Sequence, residues 1–509
     1  STYNDYIVEA ILNYNKDIDK HHFDATAMAS INGIQWKRIG NTGLGFPNDD
    51  LSYNAISSAT TFSPMAYELS DRKLLSYMAR ARYNFDSKYL LTLSVRVDGS
   101  SVFGANNKYG YFPAAAVAWR LKQENFLKDV RFLTDLKLRV SYGAVGNQGI
   151  SPYTTLGLAD RYLIEFGNTT QVGYLPNSQL VNPNLKWETS TSTNIGLDYG
   201  FFGGRLNGTI EYYDTQTTDL LVERSLATTT GYSSQLVNLG HVQNRGFELA
   251  VNGTVIEKKD FKWNVNVNFT LNRNKIKKID GSLDANGNPK NDLNNNWFIG
   301  QSMNVSYDYR FDGIWQLTDN IAGSHMPAAK PGSVRVGDVN GDGVVSVDDR
   351  VIIQRDPKWL TSLITSFDYK NFNLSLDFYY LYGGYRYNSY LATFETGGDL
   401  TGKRNGIRRN YWTIHNPSNT APAPNFVQTP AFLASSAYEK ADYIKLRNIS
   451  LSYRMPKSVV QKVKLDDLKL FCTMSNVFTI TDVQAYGPEQ NAGAYPEPRT
   501  LLFGINFSF

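Results

Sequence analysis

The sequence predicts an all-β chain: a large antiparallel transmembrane β-barrel with short turns at one end of its strands and long loops at the other. Three observations carry this. Apolar and polar residues alternate with period two in segment after segment, and short connections alternate with long ones. No run of about 18 or more apolar residues offers a membrane helix. The mean hydropathy of -0.37, with 42% hydrophobic residues, does not oppose a barrel, because every second residue of a spanning strand can be polar.

Taken in order, Leu91, Leu93, Val95 and Val97 oppose Thr92, Ser94, Arg96 and Asp98. Leu206, Gly208, Ile210 and Tyr212 oppose Asn207, Thr209, Glu211 and Tyr213. Trp263, Val265, Val267, Phe269 and Leu271 oppose Asn264, Asn266, Asn268, Thr270 and Asn272. Phe372, Leu374, Leu376, Phe378 and Tyr380 oppose Asn373, Ser375, Asp377 and Tyr379. Near Arg447 and Asn448 the phase slips, from Ile444 and Leu446 to Ile449, Leu451 and Tyr453, which reads as a β-bulge. The final nine residues put Phe503, Ile505, Phe507 and Phe509 on one face and Gly504, Asn506 and Ser508 on the other. The second face of a soluble sandwich strand tends to carry Lys and Glu. Here it holds Asn, Thr, Ser, Asp and Arg, a lining suited to a hydrated channel.

The connections give the orientation. Asp86-Ser87-Lys88, Gly203-Gly204, Ile256 to Asp260 and Lys370-Asn371 are short; 36–72, 147–185, 216–244, 383–442 and 476–499 are long. With Phe509 at the periplasmic rim, each short turn falls inside and each long loop outside. Residues 276–360 must contribute zero or two crossings, so about 15 or 17 strands are expected, an odd number. The chain therefore reads as the C-terminal part of a larger barrel. Ser1 opens no signal peptide, so the sequence reads as processed or as a fragment.

Ordered motifs add a resemblance. They are Arg96-Val97-Asp98-Gly99-Ser100-Ser101-Val102-Phe103-Gly104, Tyr111-Phe112-Pro113, Ala118-Trp119-Arg120, and Ser141-Tyr142-Gly143 with Gly146-Asn147. Asn182-Pro183-Asn184-Leu185-Lys186-Trp187-Glu188 and Asn244-Arg245-Gly246-Phe247-Glu248-Leu249 follow. Last come Tyr443-Ile444-Lys445-Leu446-Arg447-Asn448-Ile449, Ser475-Asn476-Val477-Phe478 and Tyr495-Pro496-Glu497-Pro498-Arg499-Thr500. In this order they resemble the SusC-like (RagA-type) TonB-dependent outer-membrane transporters. The resemblance implies a barrel of about 22 strands, of which this chain supplies the C-terminal portion. It also implies an N-terminal plug and a TonB-contacting segment, both absent from this chain, and a SusD-like surface lipoprotein that closes the external mouth as a lid. The long loops carry Trp297, Trp315, Trp359 and Trp412, the kind of aromatic that anchors interfaces. A lid needs a firm contact and a releasable one, so the loops 276–360 and 383–442 are expected to hold it unequally.

One loop carries chemistry of its own. Within the inserted segment 337–350, Asp338 to Asp349 fits an EF-hand or dockerin-like calcium template at positions 1, 3, 5, 6 and 12. Asp338, Asn340 and Asp342 would give side-chain oxygens, Val344 its carbonyl, Ser346 a water-mediated contact, and Asp349 the closing carboxylate. Gly343 permits the sharp turn, and Val345 would face an apolar contact. The bland alternative is an acidic turn that holds no metal.

Nothing else reads as a chemical site. Adjacent His21 and His22 point to opposite faces of a strand, and the remaining histidines lie in unrelated segments. The single cysteine, Cys472, is a strand residue, and a net charge of +4 gives no reason to expect nucleic acid. Tyr379-Tyr380, Tyr382, Tyr385 and Tyr387 could stack on cargo or form a rim girdle. Lys403, Arg404, Arg408 and Arg409 make a basic run that reads as solvated surface. No catalytic motif appears, so the expectation is an importer of oligosaccharides or peptides in a bacterial outer membrane, not an enzyme. The alternatives are a secreted glycan-binding β protein and a barrel that docks within a secretion assembly.

Overall fold

The computed structural model describes residues 1–509 apart from 49, 51, 64, 168, 177, 395–408, 425–429, 485–486 and 492–493. Fifteen strands form one antiparallel sheet whose order is the order of the sequence. They are β1 (Thr2–Ile18), β2 (His21–Gly40), β3 (Ala66–Phe85), β4 (Tyr89–Ser100), β5 (Tyr109–Arg120), β6 (Leu133–Asn147), β7 (Glu188–Phe201) and β8 (Leu206–Thr218). The others are β9 (His241–Lys258), β10 (Phe261–Lys278), β11 (Trp359–Tyr369), β12 (Phe372–Tyr382), β13 (Tyr443–Arg454), β14 (Asp467–Thr481) and β15 (Thr500–Ser508). No residue of 279–358 joins this sheet, which resolves the strand count at 15.

Short turns and long loops alternate over most of the chain; the exception is 121–132, on the short-turn side, which is longer than 101–108 on the other. The turns use residues in the left-handed backbone region: Asp86 (φ 52), Ser87 (φ 55), Gly203 (φ 68) and Lys370 (φ 53). One boundary differs from the sequence reading. β9 runs on to Lys258, so its turn is only Lys259-Asp260 rather than Ile256 to Asp260. Ladder hydrogen bonds extend a strand past the point where its apolar pattern ends. The predicted bulge is present: pairing of β13 slips between Leu446 and Asn448, leaving Arg447 as the extra residue.

The strands are inverted relative to a soluble protein. In β4, Leu93 and Val95 are 48% and 43% exposed, whereas Asp98 is 7% exposed. In β13, Leu451 is 47% exposed while Lys445 and Ser452 are 6% exposed. Apolar surface of this kind is costly in water and suited to lipid. Aromatic side chains mark both ends of the apolar face in the second half of the chain. Trp359, Tyr380 and Tyr382 cluster at the long-loop end, with ring centroids 4.9 and 5.3 Å from Trp359. Phe372 and Tyr453 pack 4.6 Å apart at the short-turn end.

The chain divides into two compact units, 1–128 with 137–195 and 213–243, and 129–136 with 196–212 and 244–509. In the first, the motif residues Val102, Phe103, Phe112, Leu185 and Trp187 bury one another. Trp187 Nε1 donates to the Lys108 carbonyl at 3.0 Å. Gly104 lies so close to the Pro183 carbonyl that a Cβ there would collide with it. These motifs therefore build a packed knot between two connections. In the second unit, the two longest loops share one core: Tyr309, Ile314, Trp315, Val334 and Val336 from one, Trp412 and Phe432 from the other.

Candidate functional site

Three features of the second unit bear on function: a polar wall, a loop clamped onto it, and the acidic loop. Side chains of the polar phase stand in register across five strands. Asn264 pairs with Ser366, Ser366 with Ser375, Ser375 with Ser450, and Ser450 with Thr473. They bond to one another: Asn268 Nδ2 donates to Asn266 Oδ1 at 2.9 Å, Ser475 Oγ to Asn448 Oδ1 at 2.8 Å, and Asn274 Nδ2 to Asn244 Oδ1 at 2.9 Å. The opposite phase aligns Trp263, Phe367, Leu374, Leu451, Cys472 and Phe503. One register thus gives one wet face and one oily face, the requirement for a channel wall. On the wet face the bulge residue Arg447 lies 3.8 Å from the Tyr379 ring centroid. Tyr379 is therefore not a girdle residue, whereas Tyr380 and Tyr382 are; Tyr387 packs on Tyr438 within the loops.

The connection between β14 and β15 is tied to this wall. Lys445 Nζ meets Glu489 Oε2 at 2.6 Å and Glu497 Oε2 at 2.5 Å, and the Tyr443 hydroxyl donates to Glu489 Oε1 at 2.7 Å. The Arg386 guanidinium donates to the carbonyls of Gly487, Pro488 and Gln490. Asn388 Nδ2 donates to the Gln484 carbonyl at 3.1 Å. Burial acts to raise the Glu489 carboxyl, but its bonds to Lys445 and Tyr443 outweigh that and hold it below the usual range.

In the acidic loop, Asp338 Oδ1 and Oδ2 accept the Gly341 and Gly343 amides at 2.7 and 2.9 Å. Asn340 Oδ1 accepts the Asp342 amide and Asp342 Oδ1 the Val344 amide, each at 2.9 Å. Asp349 is fully buried and accepts the amides of Ser346 at 2.7 Å, Val339 at 2.8 Å and Asn340 at 3.3 Å. Those amides, Ser346 first, hold its carboxyl below the usual carboxylate range against the opposing effect of burial. The Ser346 hydroxyl accepts the Asp348 amide at 3.1 Å, as an N-cap. Gly343 turns with φ 84, and Val345 packs on the shared loop core, both as expected. The predicted ligands are thus gathered in one turn, but their oxygens are bonded to its amides. Among the described residues no group of three His, Cys, Asp or Glu side chains is poised around a cation.

Other expectations sort themselves. His21 bonds Tyr83 and His22 bonds Asp17 through Nδ1, at 2.7 and 2.6 Å. Trp315 and Trp412, expected at an interface, are 4% and 7% exposed in the loop core, and Trp359 belongs to the girdle. Burial of these indoles within the loops satisfies the apolar demand that an interface would otherwise have met. Lys403, Arg404 and Arg408 lie outside the described residues. The clamp on the last loop was missed, because Lys445 and its two glutamates are 44 and 52 residues apart and no periodicity links them.

Comparison with known proteins agrees with this architecture. A family model described as TonB dependent receptor-like, beta-barrel matches residues 1–457. TonB-dependent receptor P3 of Formosa agariphila is 33% identical over 531 residues, covering 98% of this chain and 52% of that protein. TonB-dependent receptor SusC of Bacteroides thetaiotaomicron is 31% identical over 455 residues, covering 86% of this chain and 44% of that protein. The solved structure of the RagAB peptide importer in its closed-closed state superposes with a TM-score of 0.84 at 26% identity, covering all of this chain and 56% of that one. The chain thus spans about half the length of the relatives it matches. With its inverted strands and ordered 15-strand sheet, it belongs to the TonB-dependent receptor β-barrel family.

Proposed function

We propose that this chain forms the C-terminal barrel wall of an outer-membrane nutrient importer and has no enzymatic role. The carrying observation is the single register that puts a wall rich in bonded Asn, Ser and Thr on one side and a band on the other that is apolar but for threonines such as Thr361 and Thr365. Likeness to SusC and to the RagAB peptide importer supports import of an oligomeric nutrient, a peptide or an oligosaccharide. Energising by TonB, and the plug it acts on, we assign to the part of such proteins that this chain does not span. The C-terminus lies at the periplasmic rim, the long loops outside.

A SusD-like surface lipoprotein covers the external mouth in this reading. Its seat is the body formed jointly by the loops 276–360 and 383–442, whose shared core favours movement as one piece rather than unequal grips. Gentle solubilisation and isolation through an external tag should recover this protein together with a lipoprotein. Recovery alone, with calcium present, would count against the lid.

Calcium is the proposed cofactor of the loop from Asp338 to Asp349. Binding would draw Asp338, Asn340, Asp342 and Asp349 from the loop amides onto the cation, with the Val344 carbonyl and a water at Ser346 completing about six or seven oxygens. Calcium titration by calorimetry should give a one-site isotherm that Asp338→Asn with Asp342→Asn abolishes. An isotherm unaltered in the double variant would refute the site.

A further inference from the structure

We propose that a phosphate-bearing headgroup of an outer-leaflet lipid binds beside the top of β11, on the outer face of the barrel wall. The site rests on the reading above that the apolar phase faces lipid.

β11 starts level with the end of β12, where Trp359 pairs with Tyr382, while β10 runs on above it. There β10, the connection 300–358 that leads into β11 and residues after β12 line a cavity of about 730 Å³, a size suited to a small ligand. Its lining includes Arg273, Lys275, Arg310, Asp356, Lys358 and Tyr385. Arg273 and Lys275 continue the phase of Val267, Phe269 and Leu271, so they stand on the lipid side of the wall. Thr270 pairs with Leu360, which places Leu271 level with Trp359 and Arg273 two residues, or ~7 Å, beyond it. The cations therefore begin one step above the Trp359–Tyr380–Tyr382 girdle, at the depth of lipid headgroups.

The cluster holds together. Arg273 Nη1 donates to the Lys358 carbonyl at 2.7 Å, and the Lys358 ammonium lies 5.6 Å from the Tyr382 ring centroid. Bonds across the polar face, Asn274 to Asn244 and Asn266 to Asn252, set Arg245 opposite Arg273. Charge is not cancelled locally. Arg310 is paired with Asp312 at 2.8 and 2.9 Å. Asp356 is the one acidic residue among the described lining, and its oxygens take the Asn304 amide at 2.8 Å and the Ser302 hydroxyl. Arg273, Lys275 and Lys358 make no ion pair among the described residues. Three such cations beside a cavity, directly above an aromatic belt, fit a phosphate held at the membrane surface.

The test uses the full-length protein that carries this chain, purified from the outer membrane in a detergent without phosphate. Phosphorus assay and native mass spectrometry should find phosphorylated lipid retained. The triple variant Arg273→Gln, Lys275→Gln, Lys358→Gln should bind vesicles of phosphate-monoester lipid on the order of a hundredfold more weakly. Heat-modifiable gel mobility reports whether that variant still folds, and Lys275→Gln alone should give a smaller loss in the same direction. Dephosphorylated vesicles should not bind. Equal retention by wild type and a folded triple variant, or equal binding of dephosphorylated vesicles, would overturn the proposal. Retention of inorganic phosphate with no phosphorylated lipid in the native mass spectrum would overturn the headgroup as ligand and assign the site to free phosphate.

Discussion

Asn266 and Val267 are neighbours with opposite surroundings. Asn266 is bonded to Asn252 on the wet face, and Val267 lies beside Leu363 on the apolar one. Replacing Val267 with Arg should cost about 2–4 kcal/mol of stability in a bilayer, measured by refolding into vesicles. Asn266→Arg should cost less, since a cation there meets polar partners and water. The reverse ranking would mean that the faces have been exchanged. This phase was legible in the sequence because alternation is a property of consecutive residues. The bulge at Arg447 was legible for the same reason. The stacking of Arg447 on Tyr379 was not, since it needs a partner strand to bring together residues far apart in the chain.

The connection after β14 is held to the wall by ion pairs at Lys445 and by hydrogen bonds from Arg386 and Asn388. Glu489 has a carboxyl held below its ordinary value, so its stabilising effect is complete above the unfolded value, about 4.3, and is lost as pH falls through the folded one. The segment 482–499 should therefore resist proteolysis near neutral pH and open in acid below about pH 4. Glu489→Gln should open it even at neutral pH. Protection unchanged by acid and by the substitution would show that the Arg386 contacts to its carbonyls suffice. Loops of this kind escape sequence reading, because what fixes them is contact between segments and not a pattern within one. The tryptophans make the same point: as residues of long external loops they suggested an interface, and packing of one loop on another took Trp315 and Trp412 inside.

For the chain as a whole, fold class, strand order and the alternation of turns and loops could all be read beforehand, because an ordered meander pairs each strand with the next. The motif segments that carried the resemblance are largely packing devices: Phe103, Leu185 and Trp187 close a knot, and Gly104 lets it close. Their function is to fix how connections fold over the wall, and they say little about cargo.

The loop core has one more consequence, for assembly. Its two contributing segments, 309–336 and 412–433, stand on either side of β11 and β12 in the sequence. A two-residue slip of that hairpin preserves the oily and wet faces, so the membrane alone would tolerate it. It would nevertheless shift one strand by ~7 Å against its neighbour, further than a van der Waals contact can stretch. Tyr309 would then lose Phe432, whose ring centroid lies 5.0 Å away, and Trp412 would lose its seat. Bilayer insertion discriminates odd from even register, while the loop core discriminates one even register from the next. A misthreaded hairpin is thereby left with an unfinished loop core, even though its membrane faces are correct.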